Sequence, residues 1–313
     1  MWSRRSRTLW KARNFTFPNK PGSGFFSGRS LREPGTGVIL LFLAPSLAGV
    51  LVFVVIPFGD VVRRSFYNSM CTRFVGLGNY GAVLENEAFR LAAGNTIKFT
   101  LICIPALVFF SLILAVFLSL AGSLGDRCKG AFLLPYAVPA ASIVLIWKLF
   151  FHQNGLMNHW LGELGLSPIP FMDSDAAFWV LVVSYLWKNL GYDMVLWMAG
   201  LSSIPKELYE AASVDGAGKI RQFFSITLPN LVPVLFTISV LSLLNSFKVF
   251  REAYLVAGEH PHTSMYLLQH LFNNWFSSLD VEKLCAGAVL MALVVMGVVV
   301  LLAKAWGELD EET

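Results

Sequence analysis

The sequence predicts an all-α polytopic membrane protein: a bundle of six transmembrane helices with a helical loop on the cytoplasmic side. Three observations carry that expectation. Of the 313 residues, 56% are hydrophobic and only 14% charged, where soluble domains hold about 45–50% and about 25%. The mean hydropathy is +0.62. The apolar residues also gather in runs long enough to cross a bilayer, which takes about 20 residues as a helix. Together these exclude a soluble enzyme, a disordered chain and a disulfide scaffold. Cys71, Cys103, Cys128 and Cys285 fall in different segments without CxxC or metal-like spacing.

Residues 1–36 form a basic tail with eight Lys and Arg and the phenylalanines Phe15, Phe17, Phe25 and Phe26. It reads either as a solvated extension or as a contact with anionic lipid. The first apolar run is too long for a signal h-region, so no cleavable leader is expected. Six spans then follow: Gly37–Pro57, Phe99–Ala121, Ala131–Phe151, Phe178–Leu201, Leu228–Phe247 and Leu284–Ala303. Pro45, Pro105, Pro135, Pro139 and Pro233 lie inside them and predict kinks, because neighbouring helices can satisfy the freed carbonyls. None of the runs alternates as a barrel strand would. The membrane-embedded body is thus 37–303, with an acidic tail over 304–313.

Lys and Arg in the connections set the orientation. The side of the N-terminal tail carries 14 and the opposite side 7, with a net charge of +4 overall, so both termini are expected in the cytoplasm. The third connection, 152–177, has no Lys or Arg. There Leu156, Met157, Trp160, Leu161 and Leu164 recur at helical spacing, predicting a short amphipathic helix at the outer interface or on the bundle rim. The five histidines all fall in outer connections, lack metal-site spacing and read as solvated loop residues.

The most informative stretch, 204–227, lies between the fourth and fifth spans on the cytoplasmic side. Pro205 suits a helix start, and Glu207 and Glu210 suit an N-terminal half. Leu208, Ala211 and Ala212 share a face. Asp215-Gly216 then ends the helix, with Gly216 free to take the left-handed C-cap conformation. A second short helix is expected over Lys219–Ile226, leading to Pro229. The result is a helix–turn–helix peg whose small residues let a partner's backbone approach.

This stretch resembles the EAA loop of ABC importer permeases, and specifically the carbohydrate, maltose-transporter-like subfamily. The matching residues are Glu210-Ala211-Ala212, Asp215-Gly216-Ala217, Phe223, Ile226, Leu228 and Pro229. The similarity continues in Phe74-Val75-Gly76-Leu77-Gly78-Asn79-Tyr80, Asn95-Thr96, Leu134-Pro135-Tyr136, Ile146-Trp147 and the run 201–205. The outer segment Ala257-Gly258-Glu259-His260-Pro261 keeps only part of the family's Thr-x-Gly-Gly-Pro run, and the basic tail lies outside the resemblance.

The resemblance implies a transport subunit that works with a second homologous permease, two cytoplasmic ATP-binding subunits and an extracytoplasmic solute-binding protein, and that carries a sugar. Glu207, Glu210, Ala211, Ala212, Asp215, Gly216 and Ala217 would couple to the ATPases. No catalytic residue, metal or cofactor is expected in this chain, because ATP and Mg would bind the partner subunits. The chain has no GxxxxGK[ST]; Gly218-Lys219-Ile220 lacks the upstream Gly and the Ser/Thr. No nucleic-acid partner is expected, and lipid surrounds the spans.

Polar residues at membrane depth are rare and face bundle interiors or cavities. Lys98 and Lys148 sit near span ends, where snorkelling accounts for them. Lys188 and Asp193 lie mid-span, about 140° apart around the helix, which argues against a tight intrahelical pair. Lys188, Asn189 and Tyr192 cluster at helical spacing, as do Ser242, Asn245 and Ser246. On chemistry alone either set could glue helices together. The resemblance implies instead that these six line the sugar site. Lys248 and Arg251 follow and would either attract an acidic sugar or mark the interface.

Other readings are the same machinery for glycerol phosphate, an acidic saccharide or a polyamine, an ion-driven secondary transporter, or a membrane enzyme. A secondary transporter would show inverted repeats and several midplane carboxylates, where Asp193 stands alone. A membrane enzyme would need a nucleophile–base or metal constellation, and none is visible.

Overall fold

A computed structural model describes residues Thr36–Glu311, so the charges and phenylalanines of the basic tail lie outside the described residues. The chain divides into two compact units, 1–54 and 55–313. In the first, helix α1 (Thr36–Val50) carries Pro45 in its interior and passes into a π turn, Leu51–Val55. Its side chains from Phe42 onward are almost all exposed, as a lipid-facing helix requires.

The second unit opens with α2 (Ile56–Arg64), where Pro57 occupies the first turn and Asp60 pairs with Arg63 and Arg64 at 2.9 and 2.6 Å. Helix α3 (Gly78–Glu85) precedes α4 (Glu87–Leu120), whose N-cap Asn86 accepts the Phe89 N–H at 3.0 Å. Helices α5 (Ser123–Ala137), α6 (Ala140–Phe151) and α7 (Leu156–Glu163) follow. The central helix is α8 (Ala176–Ser203). The loop after it holds α9 (Lys206–Val214), α10 (Lys219–Gln222) and a π turn, Phe223–Thr227. The chain then runs through α11 (Leu228–Asn230), α12 (Val232–Ser246), a 3-10 turn over Phe247–Val249 and α13 (Phe250–Ala257). Helices α14 (Leu268–Ser277) and α15 (Val281–Glu311) complete it.

Among the described residues, four helices are long and apolar enough to cross a membrane: 42–64, 87–120, 232–257 and 281–305. A fifth arises if the pair 127–137 and 140–163 is one span, and that pair is bent by 90°. This corrects the expectation of a merely kinked helix over Ala131–Phe151. Pro139 has no N–H to continue α5 and drives Val138 into an extended conformation (φ −68°, ψ 126°), so the helix stops and restarts. Helix α8 has the length to span, 28 residues, but Lys188, Asn189, Tyr192 and Asp193 dilute its hydropathy. Half of its residues are buried, against 22–33% of the apolar windows in α4, α12 and α15. Other helices therefore cover more of α8 than of these three, while Trp179, Val183 and Trp187 stay exposed.

α8 packs on α4, α5 and α12. At Gly191 an added Cβ would lie 1.8 Å from the Phe132 carbonyl oxygen, so α5 and α8 meet backbone to backbone. Phe99, Cys103, Leu107, Trp147, Leu181 and Tyr185 form one core, and Ala115, Met194, Trp197, Leu231 and Ile238 another nearer the loop. Buried hydrogen bonds cross between helices: Trp197 Nε1 donates to Ser111 Oγ at 3.0 Å, and Tyr185 OH to the Ser242 carbonyl at 2.7 Å.

The amphipathic helix expected in the third connection is α7. Buried Asn158 pins it, donating to the Gln153 and Ile169 carbonyls and accepting the Ile169 N–H, while Trp160 and Leu164 stay exposed. His270 departs from the solvated-loop expectation. It is 0% exposed, its Nδ1 accepts the Leu267 N–H at 3.2 Å, and its ring meets Phe250 edge-on. Helical periodicity in α14 turns it inward among apolar neighbours. Burial holds its pKa down to about 4.

Two outcomes follow from this packing. Gly191→Ala should lower the melting temperature of detergent-purified protein by several degrees, since overpacking costs about 1–3 kcal/mol. Gly94→Ala, with nothing within 4 Å of the added carbon, should not; equal melting temperatures would contradict the close approach. For His270 the folded pKa of about 4 lies below the ordinary 6.5, so the unfolded chain binds the extra proton in between. Stability should be full above pH 6.5 and fall towards pH 4, by at most about 3 kcal/mol. Thermal melts across that range should flatten in His270→Phe.

Candidate functional site

A cavity of about 230 Å³ lies where α5, α6, α8, α12 and α13 converge. The break at Val138-Pro139 lets Tyr136 of α5 and Ile143 and Trp147 of α6 line the same space. Four residues on one face of α8, Ser184, Tyr185, Lys188 and Asn189, line it at i, i+1, i+4 and i+5. Asn245, Lys248, Val249 and Glu252 enter from the end of α12 and the start of α13.

The polar groups are mostly paired. The Lys188 ammonium donates to a Glu252 carboxylate oxygen in an ion pair between α8 and α13. Asn189 Nδ2 donates to the Tyr185 carbonyl at 2.8 Å, and Lys248 Nζ to Asn245 Oδ1 at 2.7 Å. Such a charge pair at membrane depth needs a protein-lined space.

The structure separates the six proposed solute residues into two groups. Lys188, Asn189 and Asn245 line the cavity, while Tyr192, Ser242 and Ser246 are not among its lining residues. Tyr192 stacks on Tyr136, with ring centroids 4.8 Å apart and planes 12° from parallel. Ser242 Oγ donates to Asp193 Oδ2 at 2.8 Å, and Ser246 Oγ to the Leu243 carbonyl at 2.7 Å, both buried. The Ser242 bond joins α12 to α8, and the Ser246 bond stays within α12.

At the other end of α8 the loop is cross-braced. The Gly216 N–H donates to the Ser213 carbonyl and the Ala217 N–H to the Ala212 carbonyl, at 3.1 and 2.9 Å. With Gly216 at φ +78°, these two bonds make a Schellman cap on α9. Buried Gln222 donates to Ser213 Oγ and the Ala217 carbonyl, and the Tyr209 and Thr227 hydroxyls hydrogen-bond at 2.9 Å. Glu207, Glu210, Ala211, Asp215 and Gly216 are exposed, with Ala212 and Ala217 half-buried. Val214 (88% exposed), Ile220 and Phe224 add an apolar surface that the described residues leave uncovered.

Residues 75–309 match the family described as the binding-protein-dependent transport system inner membrane component. The chain belongs to that family. It is 34% identical over 260 residues to the sulfoquinovosyl glycerol transport system permease protein SmoG of Agrobacterium fabrum, covering 80% of this chain and 84% of that one. It is 33% identical over 276 residues to the sn-glycerol-3-phosphate transport system permease protein UgpA of Salmonella typhimurium, covering 83% and 91%. A crystal structure of a bacterial ABC transporter involved in the import of the acidic polysaccharide alginate shares the fold, with a TM-score of 0.76 at 20% identity over 87% of this chain and 96% of that one. The protein is a multi-pass inner-membrane permease of binding-protein-dependent transport.

Several cavity residues of the permease escaped sequence reasoning. Tyr136, Trp147, Ser184 and Tyr185 are ordinary residues of apolar spans, and only the α5–α6 break and the rotation of α8 bring them together. Glu252 lay beyond the expected end of the fifth span at Phe247. Helical structure resumes at once in α13, and a carboxylate in a span reaching 257 was the signal available.

The ion pair generates a test. Lys188→Met leaves a buried, unpaired Glu252, and breaking such a pair costs about 3–5 kcal/mol. The amount of folded permease in the membrane should fall sharply, and Lys188→Met with Glu252→Gln should recover most of it. Equal abundance of the single and double variants would show that the pair does not hold α8 to α13.

Proposed function

We propose that the permease is the non-enzymatic transmembrane subunit of an ATP-driven importer of a sugar or sugar-like solute. In this reading solute delivered by an extracytoplasmic binding protein passes through the cavity on α8, and two partner ATP-binding subunits hydrolyse ATP with their own Mg. A second, homologous permease completes the pathway. The chain crosses the membrane six times, with α8 as the protein-covered span and both termini in the cytoplasm.

The observation that carries this reading is the braced, exposed loop 206–227 directly after α8. A docking element must keep its shape under load, and the Schellman cap with the Gln222 and Tyr209–Thr227 ties supplies that. Its exposed carboxylates, small residues and Val214 offer a surface to an ATPase. A crystal structure of the alginate transporter in complex with alginate pentasaccharide-bound periplasmic protein, sharing this fold at a TM-score of 0.74, supports a binding-protein partner here.

A second reading keeps the machinery and makes the solute acidic. Relatives named for sulfoquinovosyl glycerol and sn-glycerol-3-phosphate, and two lysines on the cavity, favour it.

The loop provides the test. Gly216 stands at φ +78°, where a Cβ costs about 1–2 kcal/mol. A branched side chain there would also project from the docking surface. Gly216→Val should abolish solute-stimulated ATP hydrolysis of the complete transporter while the permease still reaches the membrane, and Glu210→Ala should weaken stimulation less. Normal stimulated rates in Gly216→Val would overturn the docking role.

A further inference from the structure

We propose that Cys71 and Cys285 form a disulfide at the end of the bundle opposite the loop, fastening the turn after α2 to the first turns of α15. This rests on the orientation proposed above, with both termini in the cytoplasm.

That orientation sorts the four cysteines. The helix over 42–64 runs outward from the N-terminal side, so the turn after it, with Cys71, is extracytoplasmic. Helix α15 runs back to the C-terminal tail, so its first turns, with Cys285, lie on the same side. Cys128 follows the inner end of α4, and Cys103 is buried midway along that helix. Only Cys71 and Cys285 stand at the face where thiols meet an oxidising medium.

The fold brings these two together from opposite ends of the chain. The Ser69 hydroxyl donates to the Glu282 carboxylate, joining residues 213 positions apart. Cys71 lies two residues beyond Ser69, and Cys285 lies one helical turn beyond Glu282 on the same face of α15. The two thiols are within electrostatic reach of each other, and both are within reach of the Arg64 guanidinium. Helix α15 also packs on α2 and α3, which flank the turn. The turn is braced from within. Asn68 Oδ1 accepts the Thr72 and Arg73 N–H groups at 2.8 and 3.0 Å, and the Cys71 N–H donates to the Asn68 carbonyl at 2.8 Å. These bonds hold Cys71 at φ +55°, a left-handed conformation that a residue with a Cβ keeps only where its surroundings impose it. A turn already fixed beside its partner has little chain freedom left to lose on closure.

The exposure of the thiols gives the order of steps. Half-buried Cys71, its thiolate favoured by Arg64, attacks a small extracytoplasmic disulfide and expels one thiol, leaving a mixed disulfide. Cys285, 5% exposed, then attacks the Cys71 sulfur and expels the second thiol. The Cys71–Cys285 bond forms as the small molecule's S–S bond breaks. Two electrons pass to that molecule, and the two cysteine protons end on the released thiols.

The experiment treats the full-length permease in its native membranes with oxidised glutathione, digests it without reduction and maps the peptides by mass spectrometry. A peptide pair joined through Cys71 and Cys285 should appear in most chains and vanish with dithiothreitol. Cys285→Ser should stop at the first step, with glutathione left on Cys71. In the unmutated protein, glutathione on Cys71 without the link, two free thiols, or a link to Cys103 or Cys128 would overturn the proposal. The linked protein should melt several degrees above the reduced one, and Cys71→Ser should show no such difference; a melting temperature indifferent to reduction would overturn the fastening. A membrane-impermeant maleimide, applied to intact, freshly reduced cells carrying Cys285→Ser, should label Cys71. Labelling only after the cells are opened would overturn the orientation and this proposal together. Labelling of intact cells without the linked peptide would overturn the disulfide alone and leave the orientation and the transport function standing.

Discussion

A polar helix stands inside a membrane bundle only when other helices supply its hydrogen bonds, and the organisation of this permease depends on α8 meeting that constraint. Unpaired polar groups in hydrocarbon cost several kcal/mol each. Tyr185 and Trp197 avoid that cost through Ser242 and Ser111 on the flanking helices, and Lys188 through Glu252, while Asp193 pairs Oδ2 with Ser242 and leaves Oδ1 without a partner among the described residues. Gly191 lets α5 come close enough to seal one side. Covered in this way, α8 can hold ammonium and amide groups at a depth where a lipid-facing helix could not.

The same helix connects the cavity and the loop. From Lys188 to Ser203 it runs uninterrupted for about 22 Å, at 1.5 Å per residue. Pro205 then caps α9 directly, and buried Ile204 packs the joint into the core around Trp197 and Leu231. A close-packed joint transmits displacement better than a solvated linker would. The cavity and the loop are therefore two ends of one rod. Away from the loop, the break before Pro139 turns α6 away from α5 by 90° and opens the space that the cavity occupies. A continuous helix there would have kept Tyr136 and Trp147 along a single rod.

Much of this was legible in the residues. Apolar runs and prolines located the helices, because hydrophobic length and missing N–H groups act locally. The α9 cap was readable at Asp215-Gly216, since only glycine takes φ +78° without strain, and the amphipathic pattern placed α7. Reading failed where the outcome depended on what lay across space. Val138-Pro139 has the same local chemistry whether neighbours heal the kink or leave a break. His270 sits in a connection between spans like the exposed His152, His159 and His260, yet packing against Phe250 and Tyr266 buries it.

The sequence alone determined the membrane class, the helical architecture, the turn that ends α9 and the family. All of these follow from composition, from short-range backbone chemistry or from residues near one another in the chain. Only the tertiary structure decided which polar residues face a cavity and which fasten helices. Lys188 and Glu252 lie 64 positions apart and Ser242 and Asp193 lie 49 apart. Helical spacing assigns each residue to a face of its own helix. Which neighbour that face meets is settled by how the helices rotate and cross, and that depends on every close contact in the bundle.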